Sequence, residues 1–534
     1  IVAENRPEWL EADLAIMALG GITVPAYTTS TARDYLHLLG DSGARVVFVS
    51  TPALVRKVLP AVLQLPHPVA LVGFDGAPEG GGSDGATLGY AELLGRGTHA
   101  DAEPGAPDPA EAWRDLAPRD PACIIYTSGT GGAPKGVLLS HGNVMANCRA
   151  ALELILELGI EQERFLSFLP LSHAYEHTCG QFFPLSIGAE IAYAESIDRL
   201  AANLGEMRPT IMTSVPRLYE VLQARIQRDM QKAGRLRRTL FGRTLDLGRR
   251  RYRGDKLGVL ERLEDRILDR LVRSAVRGRF GGRLKAFVSG GAPLSPELGV
   301  YFEALGLRIL QGYGQTEAAP LISVNRPRQV RHETVGPPVL GTELRIAEDG
   351  EILVRGPQVM LGYWNDEHST ERALEDGWLR TGDVGRVEDD GCLVITDRKK
   401  DLIVTSGGEN VAPQRIENLL TLEPEIGQAM VTGDRRPYLV ALIVPERETA
   451  LGWARRHGRP ADMAALVEDP EFRKVILHAV ERVNRALAPL ERVRRFLLVA
   501  EPFSAENGEL TPTLKIRRHV VWQRYGDRVD ALYG

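Results

Sequence analysis

The 534-residue chain has only four cysteines, Cys123, Cys148, Cys179 and Cys392, and no two of them form a CxxC pair. Zinc ribbons and dithiol redox motifs are therefore excluded, and a reducing compartment is expected. No run reaches the ~18 apolar residues that a membrane span requires. The longest weakly polar stretch, residues 12–26, is broken by Asp13, Thr23 and Pro25. Charge of one sign is lacking as well. Sixty-five Lys and Arg against 70 Asp and Glu give a net charge of −5, which excludes a polycation built to hold nucleic acid. There are no internal repeats. The first residues do not read as a secretory signal. The chain opens on Ile1 instead of Met, and residues 1–5 read as the end of a strand entering a helix. Further N-terminal residues are expected to precede them.

What is present is ordinary for a folded protein: 44% hydrophobic and 25% charged residues, in a chain long enough for several cores. Apolar runs such as Val46, Val47, Phe48 and Val49 alternate with helical patterns, which argues α/β layers with mostly parallel strands. Residues 74–110 are rich in Gly, Pro, Ala and Asp without periodicity, and read as a surface excursion. Residues 221–285 carry 20 Lys and Arg against seven Asp and Glu. Within them Leu260, Leu263, Ile267 and Leu271 recur at helical spacing, so the segment is expected to be helical with one apolar face. Its arginines are either a solvated face or a contact for an anionic surface. Beyond residue 342 the texture turns to short strands. Asp349-Gly350 and Asp390-Gly391 signal hairpins. After Arg398 a small α+β unit is expected, with a strand at 438–444, a helix near 471–487 and a strand at 495–499.

Three segments place a Gly-rich or polar turn after an apolar strand. The first runs Thr127, Ser128, Gly129, Thr130, Gly131, Gly132, Ala133, Pro134, Lys135, Gly136. Its glycines expose backbone N–H groups to phosphate oxygens, its hydroxyls add donors, and Lys135 adds a cation. A Walker P-loop has Gly, Lys and Ser/Thr in succession, whereas here Pro134 precedes the lysine and Gly136 follows it. A plain hairpin loop is the alternative. The second turn holds Ser289, Gly290, Gly291, Ala292 and Pro293. The third holds Gln311, Gly312, Tyr313, Gly314, Gln315, Thr316 and Glu317. In open α/β sheets such turns can converge on one ligand. Tyr313 offers a ring for a nucleobase, Glu317 a hard oxygen for Mg²⁺, and Asp383 a partner for ribose hydroxyls. Taken singly, each is as easily a turn or surface residue.

Six motifs in order, TSGTGGAPKG (127–136), LPLSHAYEH (169–177), QGYGQTE (311–317), GWLRTGD (377–383), DRKKDLIVTSGGENVAP (397–413) and TPTLKIRR (511–518), span most of the chain. Together they resemble the acyl-adenylate-forming (ANL) superfamily, which includes acyl-CoA synthetases, firefly luciferase and peptide-synthetase adenylation domains. The resemblance implies a large N-terminal domain (1–397) of several subdomains, with mostly parallel sheets plus a β-rich part. It also implies a small, mobile C-terminal lid (398–534), with a hinge at Lys400. It implies an ATP- and Mg²⁺-dependent reaction: a carboxylate first becomes acyl-AMP, and CoA then takes the acyl group. Thr127, Ser128, Gly129, Thr130 and Lys135 would hold the β- and γ-phosphates. Gly291, Ala292, Gln311, Gly312 and Tyr313 would border the adenine. Thr316 would touch the α-phosphate, and Glu317 with Thr130 would place the metal. Asp383 and Arg398 would hold the ribose, Ser406 and Gly407 would lie on the CoA side, and His173 would stand between the acyl and CoA channels. Lys515 matches the lid lysine of the adenylation step. One departure is Gly131, where the family usually has a second threonine.

The helical insertion 221–285 and Val215-Pro216-Arg217-Leu218-Tyr219-Glu220 resemble the long-chain fatty acid–CoA ligase branch. That likeness implies a fatty acid substrate, cytoplasmic location and peripheral contact with the inner membrane face through the basic segment. Two other readings stay open: an acyl-AMP ligase that loads a carrier protein, and a non-catalytic ATP- or fatty-acid-binding homologue.

Overall fold

The computed structural model describes all residues except 80–85, 102–110, 112, 128–132, 407–408, 505 and 512–514. The chain is α/β. Its central sheet has six strands in the order Leu321–Val324, Ile309–Gly314, Ala286–Ser289, Ile211–Ser214, Arg164–Ser167 and Glu190–Tyr193. All neighbours run parallel except Leu321–Val324, which folds back antiparallel on Ile309–Gly314. A second, parallel sheet joins Val46–Val49, Ala70–Gly73 and Thr87–Gly89. Val46–Val49 and Ala70–Gly73 are short, mostly buried apolar runs, as parallel strands covered on both faces are. Phe287, Ile309, Phe302 and Tyr219, all fully buried, lie in one core beside the central sheet.

Local signals set the helix boundaries. Thr31 and Asp34 form a reciprocal capping box on Ala32–Ser42, and Gly43 ends that helix in the left-handed conformation. Ser140 and Asn143 do the same at the start of His141–Leu158. Both Asp-Gly hairpins form: Glu343–Ile346 pairs antiparallel with Glu351–Arg355, and Trp378–Val387 with Leu393–Arg398. The C-terminal part is built on Ile426–Thr432, Leu439–Pro445 and Val493–Leu498. Its middle strand, Leu439–Pro445, is buried along its whole length between two apolar clusters, one of which includes the helix Pro470–Asn484.

Two expectations need correction. The stretch 74–110 is not merely a surface excursion, because it supplies the third strand of the second sheet, Thr87–Gly89, and the helix Tyr90–Asp101. Phe74 and Tyr90 pack edge to face at 5.1 Å, an aromatic anchor that the Gly-rich composition hid. The first glycine loop does not cap a parallel strand. It joins Pro121–Thr127 to Lys135–Ser140, an antiparallel hairpin in a separate three-stranded sheet completed by Gly362–Tyr363.

Residues 221–285 are helical, as expected, through Pro216–Lys232, Arg235–Tyr252, Val259–Leu268 and Ser274–Arg279. The apolar face at Leu260, Leu263, Ile267 and Leu271 points to solvent.

Candidate functional site

The site is built from the described residues of the three turns and from Lys515 of the C-terminal part. Gln311, Gly312 and Tyr313 lie on Ile309–Gly314, and Gln311 stands level with Ser289 on the neighbouring parallel strand. Gly291 and Ala292, just beyond that strand, are exposed at the carboxyl edge of the sheet. Gly314 ends its strand against the chain's return: a Cβ there would stand 2.0 Å from the Pro320 carbonyl oxygen, so only glycine fits. A 3₁₀ turn, Thr316–Ala318, then presents Thr316 and Glu317.

Asp383 and Arg398 are cross-strand partners, with Arg398 Nε 3.4 Å from Asp383 Oδ1. The other carboxylate oxygen accepts a 2.6 Å hydrogen bond from the Tyr313 hydroxyl. Tyr313 is thereby tied to the acid that lies 70 residues away in sequence. Asp383 is buried, and burial raises its carboxyl pKa against the opposing pull of Arg398.

Lys515 approaches this group from the C-terminal part. Its ammonium lies within electrostatic reach of Arg398, Asp383, Glu317 and Asp401. The dense surroundings push its pKa down to about 8, Arg398 adds to that, and the three carboxylates oppose it. The Lys515 side chain remains open to water. His173 feels Lys515 in turn, and burial with that nearby cation lowers its pKa to about 4. It is therefore neutral at pH 7. Its Nδ1 accepts the Tyr175 backbone N–H at 3.1 Å, which leaves the ring proton on Nε2. Tyr175 donates to the Val288 carbonyl at 2.7 Å, and a Cβ at Gly290 would lie 3.2 Å from its ring. Ser289 and Gly290 thus form a wall closed by an aromatic side chain.

Lys135 and Glu317 are not in direct contact. A residue absent from the sequence reading, Tyr363, lies between them. Its hydroxyl donates to Glu317 Oε1 at 2.8 Å, and the Lys135 ammonium sits 5.0 Å from its ring centroid. Asp366 approaches Lys135 at 3.5 Å, and the Ser369 hydroxyl accepts from Lys135 Nζ. Asp366 also caps the helix Glu367–Ala373 through the Ser369 N–H. The available signal for these three is an Asp-x-x-Ser cap that begins three residues after Tyr363.

Thr127 ends its strand in register with Lys135. Ser128, Gly129, Thr130, Gly131 and Gly407 fall outside the described residues. Ser406 is exposed, and its backbone N–H donates to the Arg436 carbonyl at 3.0 Å. Lys400 is exposed in the turn that follows the strand Leu393–Arg398, while its neighbour Lys399 is held by Asp349 at 2.6 Å and Glu351 at 3.0 Å.

Residues 1–364 match the AMP-binding enzyme family, and residues 400–534 match the AMP-binding enzyme C-terminal domain. This chain belongs to the AMP-binding enzymes. Among relatives of this family member, the long-chain-fatty-acid–CoA ligase FadD15 of Mycobacterium tuberculosis is 36% identical, covering 100% of this chain and 87% of its own length. The long-chain-fatty-acid–CoA ligase 1 of Cavia porcellus is 31% identical, covering 100% and 78%. The solved adenylation domain of a Mycobacterium chelonae carboxylate reductase shares the fold at a TM-score of 0.74, with 24% identity over 100% of this chain and 80% of that one. ATP-bound MatB from Rhodopseudomonas palustris shares it at 0.69, with 22% identity over 99% and 89%. No helix among the described residues is long and apolar enough to cross a membrane.

Proposed function

We propose that this AMP-binding enzyme activates a long-chain fatty acid with ATP and transfers the acyl group to CoA, giving acyl-CoA, AMP and pyrophosphate. The observation that carries the reading is the Tyr313–Asp383–Arg398 group at the end of the central sheet, with Lys515 of the C-terminal part within electrostatic reach of it. The names of the relatives supply the acid and the thiol.

In the first half-reaction a carboxylate oxygen attacks the α-phosphorus of ATP. The bond to the bridging oxygen breaks, and pyrophosphate leaves with the electron pair. Carboxylate and triphosphate repel each other, so cations placed around the reacting centre lower the barrier. Lys515 would supply one at the α-phosphate beside Thr316, and Lys135 with Thr127, Ser128, Gly129 and Thr130 would hold the leaving phosphates. Asp383 and Arg398 would take the ribose hydroxyls, while Gly291, Ala292, Gln311, Gly312 and Tyr313 would frame the adenine.

Among the described residues no cluster of three or more His, Cys, Asp or Glu could hold a metal by itself. A magnesium ion that arrives on the triphosphate asks for only one or two carboxylates, and Glu317, orientated by Tyr363, fits that need. Bound there with help from Thr130, Mg²⁺ would neutralise charge developing on the leaving group.

In the second half-reaction the CoA sulfur attacks the acyl carbonyl carbon. The carbon–oxygen bond to AMP breaks, and the thiol proton passes to water. A turn of 398–534 about Lys400 against 1–397 would withdraw Lys515 and bring Ser406 and Gly407 toward CoA. Neutral His173 would separate the two channels without adding a charge that traps the acyl-adenylate. Because long-chain acids partition into bilayers, peripheral contact of the basic segment 221–285 with a cytoplasmic membrane face belongs to this reading.

The test is AMP and thioester formation from ATP, Mg²⁺ and acids from acetate to oleate, with and without CoA. Acyl-CoA and AMP formed with long acids bear the reading out. Acyl-AMP and pyrophosphate without a CoA thioester would favour a carrier-loading ligase, and no turnover with any acid would favour a binding protein.

A further inference from the structure

The helix Val259–Leu268, continued through the π-turn Asp269–Arg273, is inside out. Its apolar row is exposed: Leu260 at 81%, Leu263 at 56%, Ile267 at 50% and Leu271 at 59%. Its acidic residues face the protein instead. Glu261 is bound by Arg250, Glu264 by Arg243 at 3.0 Å, and Asp265 by Arg273 at 2.7 Å. Arg273 is fully buried and also donates to the Ala304 carbonyl at 2.7 Å. These pairs lock the helix against Arg235–Tyr252 and fix which side looks outward. Isolated exposed leucines are common, but a continuous row turned to water by ion pairs on the opposite side of the helix, Arg273–Asp265 among them buried, marks a surface that meets something.

Beside that row stand Arg262, Arg266 and Arg270, at four-residue spacing, exposed and without a carboxylate partner among the described residues. Leucines flanked by a line of free arginines are the arrangement of a helix that lies in the plane of a membrane interface. We infer that the outer face of 259–271 is a docking element for an anionic phospholipid surface. The leucines enter the acyl boundary, and Arg262, Arg266 and Arg270 pair with headgroup phosphates. Charge complementarity argues against a second copy of this chain as the occupant, because a two-fold contact would bring the arginine rows face to face. The choice of a bilayer over an acidic protein rests on the proposed long-chain acid, whose reservoir is the membrane. Arg250 and Arg251, which sequence counts among the basic surface, are engaged by Glu261 and Asp265 and take no part.

The experiment is co-sedimentation of the full chain, without ATP or acid, with vesicles of phosphatidylcholine alone or mixed with phosphatidylglycerol. The wild type is expected to bind the mixed vesicles, with binding weakened by salt. Leu263→Ser/Ile267→Ser/Leu271→Ser should lower partitioning at least about tenfold. Arg262→Glu/Arg266→Glu/Arg270→Glu should abolish the preference for phosphatidylglycerol. Because these side chains are exposed, both variants should keep the wild-type melting temperature and the wild-type rate on a water-soluble short acid. Equal binding by all three proteins, no binding by the wild type, or a dimer dissociated by the same substitutions would each overturn the inference. Vesicle binding needs no turnover, so a failed ligase assay beside variant-sensitive binding would remove the proposed activity and leave the docking element standing.

Discussion

Replacing Tyr363 with Phe removes one oxygen and leaves the ring under Lys135 intact, which makes the tyrosine hydroxyl separable from its other contact. That hydroxyl donates to Glu317 Oε1 at 2.8 Å in a half-buried setting. A hydrogen bond to a charged group contributes about 1.5–3 kcal/mol, and partial solvent access places this one toward the lower end, about 2 kcal/mol. If Glu317 holds the magnesium that accompanies ATP, its carboxylate loses orientation in the variant. The expected result is a rise of roughly tenfold to thirtyfold in the Mg²⁺ concentration that half-saturates ATP–pyrophosphate exchange. Thioester formation from supplied acyl-AMP, which needs no triphosphate, should be unchanged. Tyr363→Leu also removes the ring, and with it the cation–π contact at 5.0 Å, for a further loss of about 0.5–1 kcal/mol. An Mg²⁺ titration of Tyr363→Phe that overlays the wild type would refute the reasoning. So would equal losses in exchange and in thioester formation, since these would point to general damage.

Lys515→Ala should cost adenylation on the order of 10²–10³ in rate and spare thioester formation from acyl-AMP; equal loss of both steps would contradict the assignment. Because the Lys515 pKa is lowered to about 8, the required ammonium is present below that pH and lost above it. Adenylation, measured as kcat/KM for ATP, should therefore fall as pH rises through that region, and the limb should vanish in Lys515→Ala. Its persistence there would assign the limb to another group. Lys400→Pro should slow overall turnover more than either isolated half-reaction, whereas normal turnover would count against a hinge at that residue. Gly314→Ala, which sets a methyl 2.0 Å from the Pro320 carbonyl oxygen, should lower the melting temperature by several degrees, and an unchanged Tm would mean the backbone yields without cost.

Much of the architecture is legible locally. The strand at 46–49, the two Asp-Gly hairpins and the caps at Thr31 and Ser140 depend on residues within a few positions of each other, and sequence carries such signals directly. The strand and helix within 74–110 are not legible locally, because their aromatic anchors, Phe74 and Tyr90, are separated by Gly-rich chain and find each other only in the fold. Likewise the glycine loop after Thr127 looks the same whether its strand is followed by a parallel neighbour or a hairpin. The register of Lys135 against Thr127 decides between them.

The sequence by itself determined the motifs expected to handle a nucleotide, because glycine, hydroxyl and charged residues must be consecutive to form one phosphate-binding turn. Tertiary structure alone decided which of those groups touch. Asp383 receives the Tyr313 hydroxyl, Tyr363 reaches Glu317, and Lys515 comes into the field of both acids. It also decided the direction of 259–271. A helical period tells that one face is apolar, but not which face the protein keeps. Here Arg243, Arg250 and buried Arg273 hold the acidic side inward, and leaving the buried Arg273 guanidinium without Asp265 would cost about 3–5 kcal/mol.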